Sequence, residues 1–158
     1  VQAEKLLAQA ERLLAAVERT VRPKAEVRGV ALYVHAPPLT LLGDAALLES
    51  LFLNLADNAV KACGNGARVD ICAEQTPQGV RVRVADTGCG MDEQALGRLG
   101  EAFFRADKAR SRADGGAGLG LALAFAVCEA HGASLKFDSK PGAGTTAAVQ
   151  FPPEAQAE

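Results

Sequence analysis

The sequence predicts an α/β fold: a two-layer sandwich in which helices cover one side of a mixed, mainly antiparallel sheet. Two observations carry that prediction. Apolar residues recur at helical spacing in three substantial stretches. The short β-rich runs between them alternate buried with wet positions, and most are joined in pairs as hairpins. The resulting order, α-β-α-β-β-(α)-loop-α-β-β, suits one sheet with a helical layer.

The first 21 residues read as an amphipathic helix, with Leu6, Leu7, Ala10, Leu13, Leu14, Val17 and Val21 on one stripe. That stripe either continues a preceding coiled coil or packs against the sheet; the second reading is taken, with Pro23 marking the helix end. Val30 to His35 is a strand closed by Pro37 and Pro38, and a short extended piece runs from Leu39 to Leu42. Asp44 caps a long helix through LFLNLADNAVKAC, Leu51 to Cys63, which Gly64, Asn65 and Gly66 terminate. Arg68 to Glu74 and Gly79 to Ala85 pair as strands around Pro77; Val80, Val82 and Val84 alternate there with Arg81 and Arg83. A short helix begins near Asp92 and fades around Gly97 to Gly100. Glu101 to Gly116 has the composition of a mobile loop. Ala117 to His131 is an apolar helix stopped by Gly132, and Leu135 to Asp138 with Thr145 to Phe151 form a last hairpin across Pro141-Gly-Ala-Gly.

A chain of 158 residues is most simply one domain, here residues 1–152 with a polar tail over 153–158. With 49% apolar and 23% charged residues the composition is that of a soluble globular protein. No apolar run approaches the roughly 20 residues that span a bilayer, so no membrane contact is expected of this domain. A net charge of −2 argues against a nucleic-acid partner. Cys63, Cys72, Cys89 and Cys128 are scattered without metal-ligand spacing and read as small, buried, reduced thiols of a cytoplasmic protein. The chain opens directly in helical sequence, as an excised domain would, with targeting information elsewhere.

Chemistry concentrates in three stretches. On the long helix Asn54, Asn58 and Lys61 fall within roughly 60° of one another, off the apolar stripe. An amide oxygen can supply one ligand to a magnesium ion whose remaining shell is water and phosphate. A lysine one turn on can neutralise phosphate charge. DTGCGM, Asp86 to Met91, follows a strand; its carboxylate can accept an exocyclic amine, and its glycines let a flat base approach. GGAGLGLALAFAV, Gly115 to Val127, sets four glycines at a helix entrance, where backbone N–H groups and the helix dipole favour phosphate. It is neither a Walker loop nor a dinucleotide fingerprint.

Together, in this order and on these elements, the three stretches closely resemble the ATP-binding domain of sensor histidine kinases, within the superfamily of gyrase, heat-shock chaperone and mismatch-repair ATPases. The resemblance covers nearly the whole chain. It includes FFRADKARSR, from Phe103 to Arg112, similar to that family's lid, and EAHGASLKFDSKPGAGTT near the end. It implies a Bergerat-type sandwich with an ATP lid loop, and ATP with Mg2+ as ligands. By resemblance Asn58 is the metal ligand, Asn54 its neighbour, and Lys61 a phosphate contact. Asp86 accepts the adenine amine, with Gly88 and Gly90 shaping the pocket and Thr145 joining the water network around it. Gly116, Gly118 and Gly120, with Leu119 among them, form the phosphate-facing turn; Phe103 and Arg105 anchor the lid and hold the terminal phosphate.

Two departures qualify the resemblance. Gly100 stands where the family's lid often has a second phenylalanine. Asn54 stands where the superfamily's hydrolases carry a glutamate as general base, and it cannot take a proton; Asp57 is offset and less well placed. This favours phosphoryl transfer over hydrolysis. His35 precedes prolines in a strand, and His131 ends an apolar helix, so neither reads as the phosphorylated histidine. The acceptor is then expected on the dimerisation domain of the parent kinase, with a response regulator downstream. An ATP hydrolase of the same superfamily, and a nucleotide-sensing or protein-binding module without phosphotransfer, stay open as alternatives.

Overall fold

The computed structural model describes residues 7–99 and 119–153. A short strand β1 (Leu7–Gln9) leads into helix α1 (Ala10–Val27), followed by β2 (Ala31–His35) and β3 (Thr40–Leu42). Helix α2 (Ala45–Lys61) precedes the paired strands β4 (Arg68–Thr76) and β5 (Gly79–Asp86). After the one-turn helix α3 (Glu93–Gly97) come α4 (Leu119–Ala130) and the strands β6 (Ser134–Lys140) and β7 (Gly144–Gln150).

Five strands form one sheet in the order β2-β4-β5-β7-β6, and only the β2–β4 contact is parallel. The sheet is therefore mixed and mainly antiparallel, as expected. Its inner face carries Val69, Ile71, Ala73, Val80, Val82, Val84, Ala147 and Val149, all buried, while Tyr33, Arg83 and Lys136 on the other face are exposed. Helix α2 lies on β4 and β5, α4 on β6, and α1 on β2 and α2.

Helix α2 forms where the sequence indicates. The Asp44 side chain accepts from Leu47 N–H at 3.0 Å, closing the N-terminus. Leu48, Leu51, Phe52, Leu55, Ala56, Ala59 and Val60 are buried on one stripe. Phe52 meets Phe151 edge to face, with centroids 6.3 Å apart, so the helix is fixed on the sheet by its largest side chain. Truncating Phe52 to Ala would cost about 3–5 kcal/mol in lost burial and cavity.

Two boundaries differ from expectation. Leu7–Gln9 is a strand, paired antiparallel with Thr40–Leu42, because this non-local ladder overrides the helical periodicity of the same residues. Pro23 does not end α1 but lies inside it. It forfeits one i→i−4 bond, yet Val21 and Ala25 on either side are fully buried, and Val30 N–H bonds Ala25 O at 2.9 Å beyond it. Core burial offsets the lost bond. The cysteines also depart from expectation. Cys63 and Cys128 are buried, but Cys72 is half-buried and Cys89 exposed, since neither side chain points into the helix–sheet layer. Burial pushes the Cys128 thiol up to about 11.

Candidate nucleotide site

The site gathers at one end of the inner sheet face, where the apolar rows give way to polar ones. Asp86 ends β5 and sits opposite Val69 on one side and Thr145 on the other; Thr145 in turn sits opposite Ser139. Asp86, Thr145 and Ser139 thus form a polar row across three neighbouring strands. Asp86 is the one buried charged side chain among the described residues. Its carboxylate accepts from the backbone N–H of Gly88, at 2.8 Å, and of Thr145. Desolvation raises its pKa from that of a free aspartate, against the pull of those two donors. Two backbone donors leave lone pairs unused on a buried carboxylate, the condition for recognising an amine from outside.

The D-T-G-C-G-M loop is held from two sides. Cys89 N–H donates to Ala62 O at 3.2 Å, capping the C-terminus of α2. On the other side Gly142 N–H donates to Cys89 O at 2.7 Å, and Met91 N–H to Ser139 Oγ at 2.8 Å. The glycines are required by approach distance. A Cβ on Gly88 would stand 2.4 Å from Ala62 O and 2.9 Å from Asp86 Oδ1. One on Gly90, whose φ is +71°, would stand 1.9 Å from Lys140 O. Gly88 therefore lies between the Asp86 carboxylate and the end of α2, one residue past Lys61.

The polar face of α2 opens beside that loop. Asn58 is exposed, and Asn54 and Lys61 are half-buried. Asn54 faces the first turn of α4, its Oδ1 3.4 Å from where a Cβ of Gly120 would be. Among the described residues α4 begins at Leu119, and the first N–H groups of a helix have no acceptor inside it. Asp57 holds Lys61 at 3.4 Å and Lys24 of α1 at 3.2 Å. Arg28 reaches from the end of α1 to the carbonyls of Lys61 and Cys63, at 3.1 and 3.2 Å, fixing the last turn of α2. His131 clamps the other end of the helix pair: its Nδ1 bonds Val127 O at 2.7 Å, and its Nε2 accepts from Asp44 N–H at 3.1 Å.

The predicted residues Asn54, Asn58, Lys61, Asp86, Gly88, Gly90, Gly120 and Thr145 thus converge on one region, with Leu119 in the first turn of α4. Phe103, Arg105, Gly116 and Gly118, together with Gly100, lie outside the described residues. Sequence reasoning missed Ser139, Arg28 and the Ala62 carbonyl. The hold of Asp57 on Lys61 was open to it, because an acidic residue four before a lysine on a helix is a readable pair.

The arrangement fits a purine nucleotide. A buried carboxylate with spare acceptor capacity and a glycine-lined approach suit an aminopurine, and the α4 N-terminus with Lys61 suits phosphate. Among the described residues no three His, Cys, Asp or Glu side chains cluster. A metal there would rest on an amide oxygen and on groups brought by the nucleotide, a donor set magnesium accepts.

Fold and site together suit a nucleotide-binding α/β sandwich in which a glycine-rich loop is bonded to the end of α2. Residues 43–155 match the family described as histidine kinase-, DNA gyrase B-, and HSP90-like ATPase, and the chain belongs to it. Within that family it is an ATP-binding catalytic domain of the sensor histidine kinase type. The sensor-like histidine kinase SenX3 of Mycolicibacterium smegmatis is 40% identical over 112 residues, 71% of this chain and 29% of the relative. The phosphate regulon sensor protein PhoR of Pseudomonas aeruginosa is 42% identical over 123 residues, 78% of this chain and 28% of the relative. The chain therefore spans under a third of the length of these relatives. Among solved structures, the mycobacterial sensor histidine kinase MprB superposes with a TM-score of 0.82 at 28% identity, covering 92% of this chain and 97% of that one. Full-length ShkA in complex with AMPPNP gives 0.78 at 33% identity, over 92% and 31%. Among the described residues no helix is long and apolar enough to cross a membrane.

Proposed function

We propose that this domain binds Mg-ATP and presents the γ-phosphoryl group to a histidine on a separate dimerisation domain of its parent kinase, from which a response regulator is phosphorylated. The observation that carries the reading is the direct bond between the Asp86 loop and the end of α2, the helix of Asn58 and Lys61, from Cys89 N–H to Ala62 O at 3.2 Å. Through it one rigid unit holds both ends of a nucleotide, so the terminal phosphate is positioned from the base.

Asp86 accepts the adenine amine, within a pocket shaped by Gly88 and Gly90 and completed by Thr145. Asn58 holds the magnesium ion, with Asn54 on the same face. The ion supplies charge neutralisation of the phosphates. Lys61, Arg105, Gly116, Gly118 and the first turn of α4 at Leu119 and Gly120 stabilise charge on the transferring group, and Phe103 anchors the lid. Transfer is favoured over hydrolysis because Asn54 cannot take a proton and Asp57 is engaged by two lysines. The domain works on the cytoplasmic side, where ATP is available.

Mixing this chain with the dimerisation hairpin of its parent and labelled ATP tests the reading. Label on the hairpin histidine, with slow phosphate release by the domain alone, is expected. Fast, steady phosphate release without phosphohistidine would replace the kinase reading with a hydrolase.

A further inference from the structure

Both ring nitrogens of His131 are bonded, and each partner dictates the state of the nitrogen it meets. Nδ1 stands 2.7 Å from Val127 O, a carbonyl that can only accept, so Nδ1 carries the proton. Nε2 accepts from Asp44 N–H at 3.1 Å, so it is bare. The Nδ1–H tautomer thus joins the end of α4 to the cap of α2. Gly43 leaves the room the ring needs, since a Cβ there would stand 2.4 Å from His131 Cδ2. The same two helices meet again where Asn54 faces Gly120. At about 1.5 Å per residue, Asp44 to Asn54 and His131 to Gly120 each span roughly 15–17 Å, so one antiparallel register satisfies both contacts. Between them the α4 stripe carries Ala124 and Cys128, small buried side chains whose apolar contacts have no direction. The polar bond at His131 therefore selects the register.

We infer that His131 is a positioning residue for the phosphate end of the nucleotide. By tying the end of α4 to the cap of α2, it sets where the first turn of α4, at Leu119 and Gly120, stands relative to Asn54 and Asn58. The inference rests on the ATP reading and deepens it: the helix that receives phosphate is registered against the helix that carries the metal ligand. Without the tie α4 can slide by one residue, about 1.5 Å, enough to carry a bond to phosphate past hydrogen-bonding range. The base end is set differently. Asp86, Gly88 and Thr145 belong to β5, the loop after it and β7. That loop is bonded to Ala62, Ser139 and Gly142, none of them on α4. Loss of the tie should therefore separate phosphate binding from base binding.

The test is an amide NMR titration of the 15N-labelled 158-residue chain with adenosine and, separately, with AMPPNP and magnesium. Two variants divide the ring. His131→Asn keeps a donor where Nδ1 stands but offers Asp44 no acceptor, whereas His131→Gln places its amide oxygen as far from the backbone as Nε2. In His131→Asn the AMPPNP affinity should fall about three- to tenfold while adenosine affinity is unchanged, and His131→Gln should restore it. The imidazole 15N spectrum of the wild type at pH 8 should show a proton on Nδ1 and none on Nε2. Equal weakening of both ligands in His131→Asn would mark a merely structural role and overturn the inference. So would unchanged AMPPNP affinity in that variant, a His131→Gln variant that binds no better, or a proton on Nε2. A wild type that binds neither ligand would instead end the underlying ATP reading.

Discussion

Replacing Asp86 with Asn tests the base pocket because it should move stability and binding independently. Burial holds the folded Asp86 carboxyl above its unfolded value, against the Gly88 and Thr145 N–H donors. Between those two values the native state binds more protons than the unfolded chain. Stability therefore falls as pH rises through that window, and the cost of the buried charge is fully present above it. Asp86→Asn removes that titration. The unfolding free energy of the variant minus that of the wild type should rise with pH through the window and flatten above it. For binding, the variant replaces a charge-assisted acceptor by an amide that cannot serve two backbone donors and an amine together. A hydrogen bond to a charged group contributes about 1.5–3 kcal/mol, roughly a 10- to 100-fold loss of affinity. Denaturant unfolding from pH 4 to 8 gives the first quantity, and calorimetry with a non-hydrolysable ATP analogue and magnesium gives the second. A difference curve that falls with pH, or undiminished affinity in Asp86→Asn, would refute the reasoning. In the wild type, affinity should also weaken as pH drops through the raised pKa, because the amine needs the ionised carboxylate.

Other predictions follow from the same geometry. Asn58→Ala should abolish the magnesium dependence of ATP-analogue binding while leaving the melting temperature within a few degrees, since Asn58 is exposed; unchanged calorimetric affinity would remove it as the metal ligand. Gly90→Ala puts a Cβ into Lys140 O at a φ of +71°, so it should cost about 2 kcal/mol or more in urea unfolding, and a neutral variant would contradict the close approach. A thiol reagent at pH 8 should label exposed Cys89 well before buried Cys63 and Cys128, and the ATP analogue should slow Cys89 labelling; mass spectrometry of the labelled peptides reads both.

Much of the fold was legible because it depends on local periodicity. The seven apolar positions of α2, its Asp44 cap and the valine alternation of β5 are each visible within one turn or one strand. What stayed hidden was settled by distant partners. Leu7–Gln9 looks helical until Thr40–Leu42 pairs with it, and Pro23 looks like a stop until the burial of Ala25 is known. The site divides in the same way. Asn54, Asn58, Lys61 and Asp86 were readable as side chains of suitable chemistry on spaced elements. The bonds that assemble them go to backbone atoms across the chain, Arg28 to Lys61 O over 33 residues and Met91 to Ser139 over 48. Such contacts leave no pattern of residue types in the sequence. His131 shows both halves. Its place at a helix end is visible, whereas its bond to Asp44 N–H, 87 residues away, is not.

The central claim is that a single nucleotide bridges the Asp86 loop and the polar face of α2. Titrating the 15N-labelled chain with AMPPNP and magnesium, and following backbone amides at Asp86, Gly88, Asn58 and Lys61, tests it most directly. All four should shift along one saturation curve at one equivalent, and Asn58→Ala should displace the curve for the Asp86 and Gly88 amides as well. Saturation of the two pairs at different ligand concentrations, or movement of one pair alone, would contradict the account.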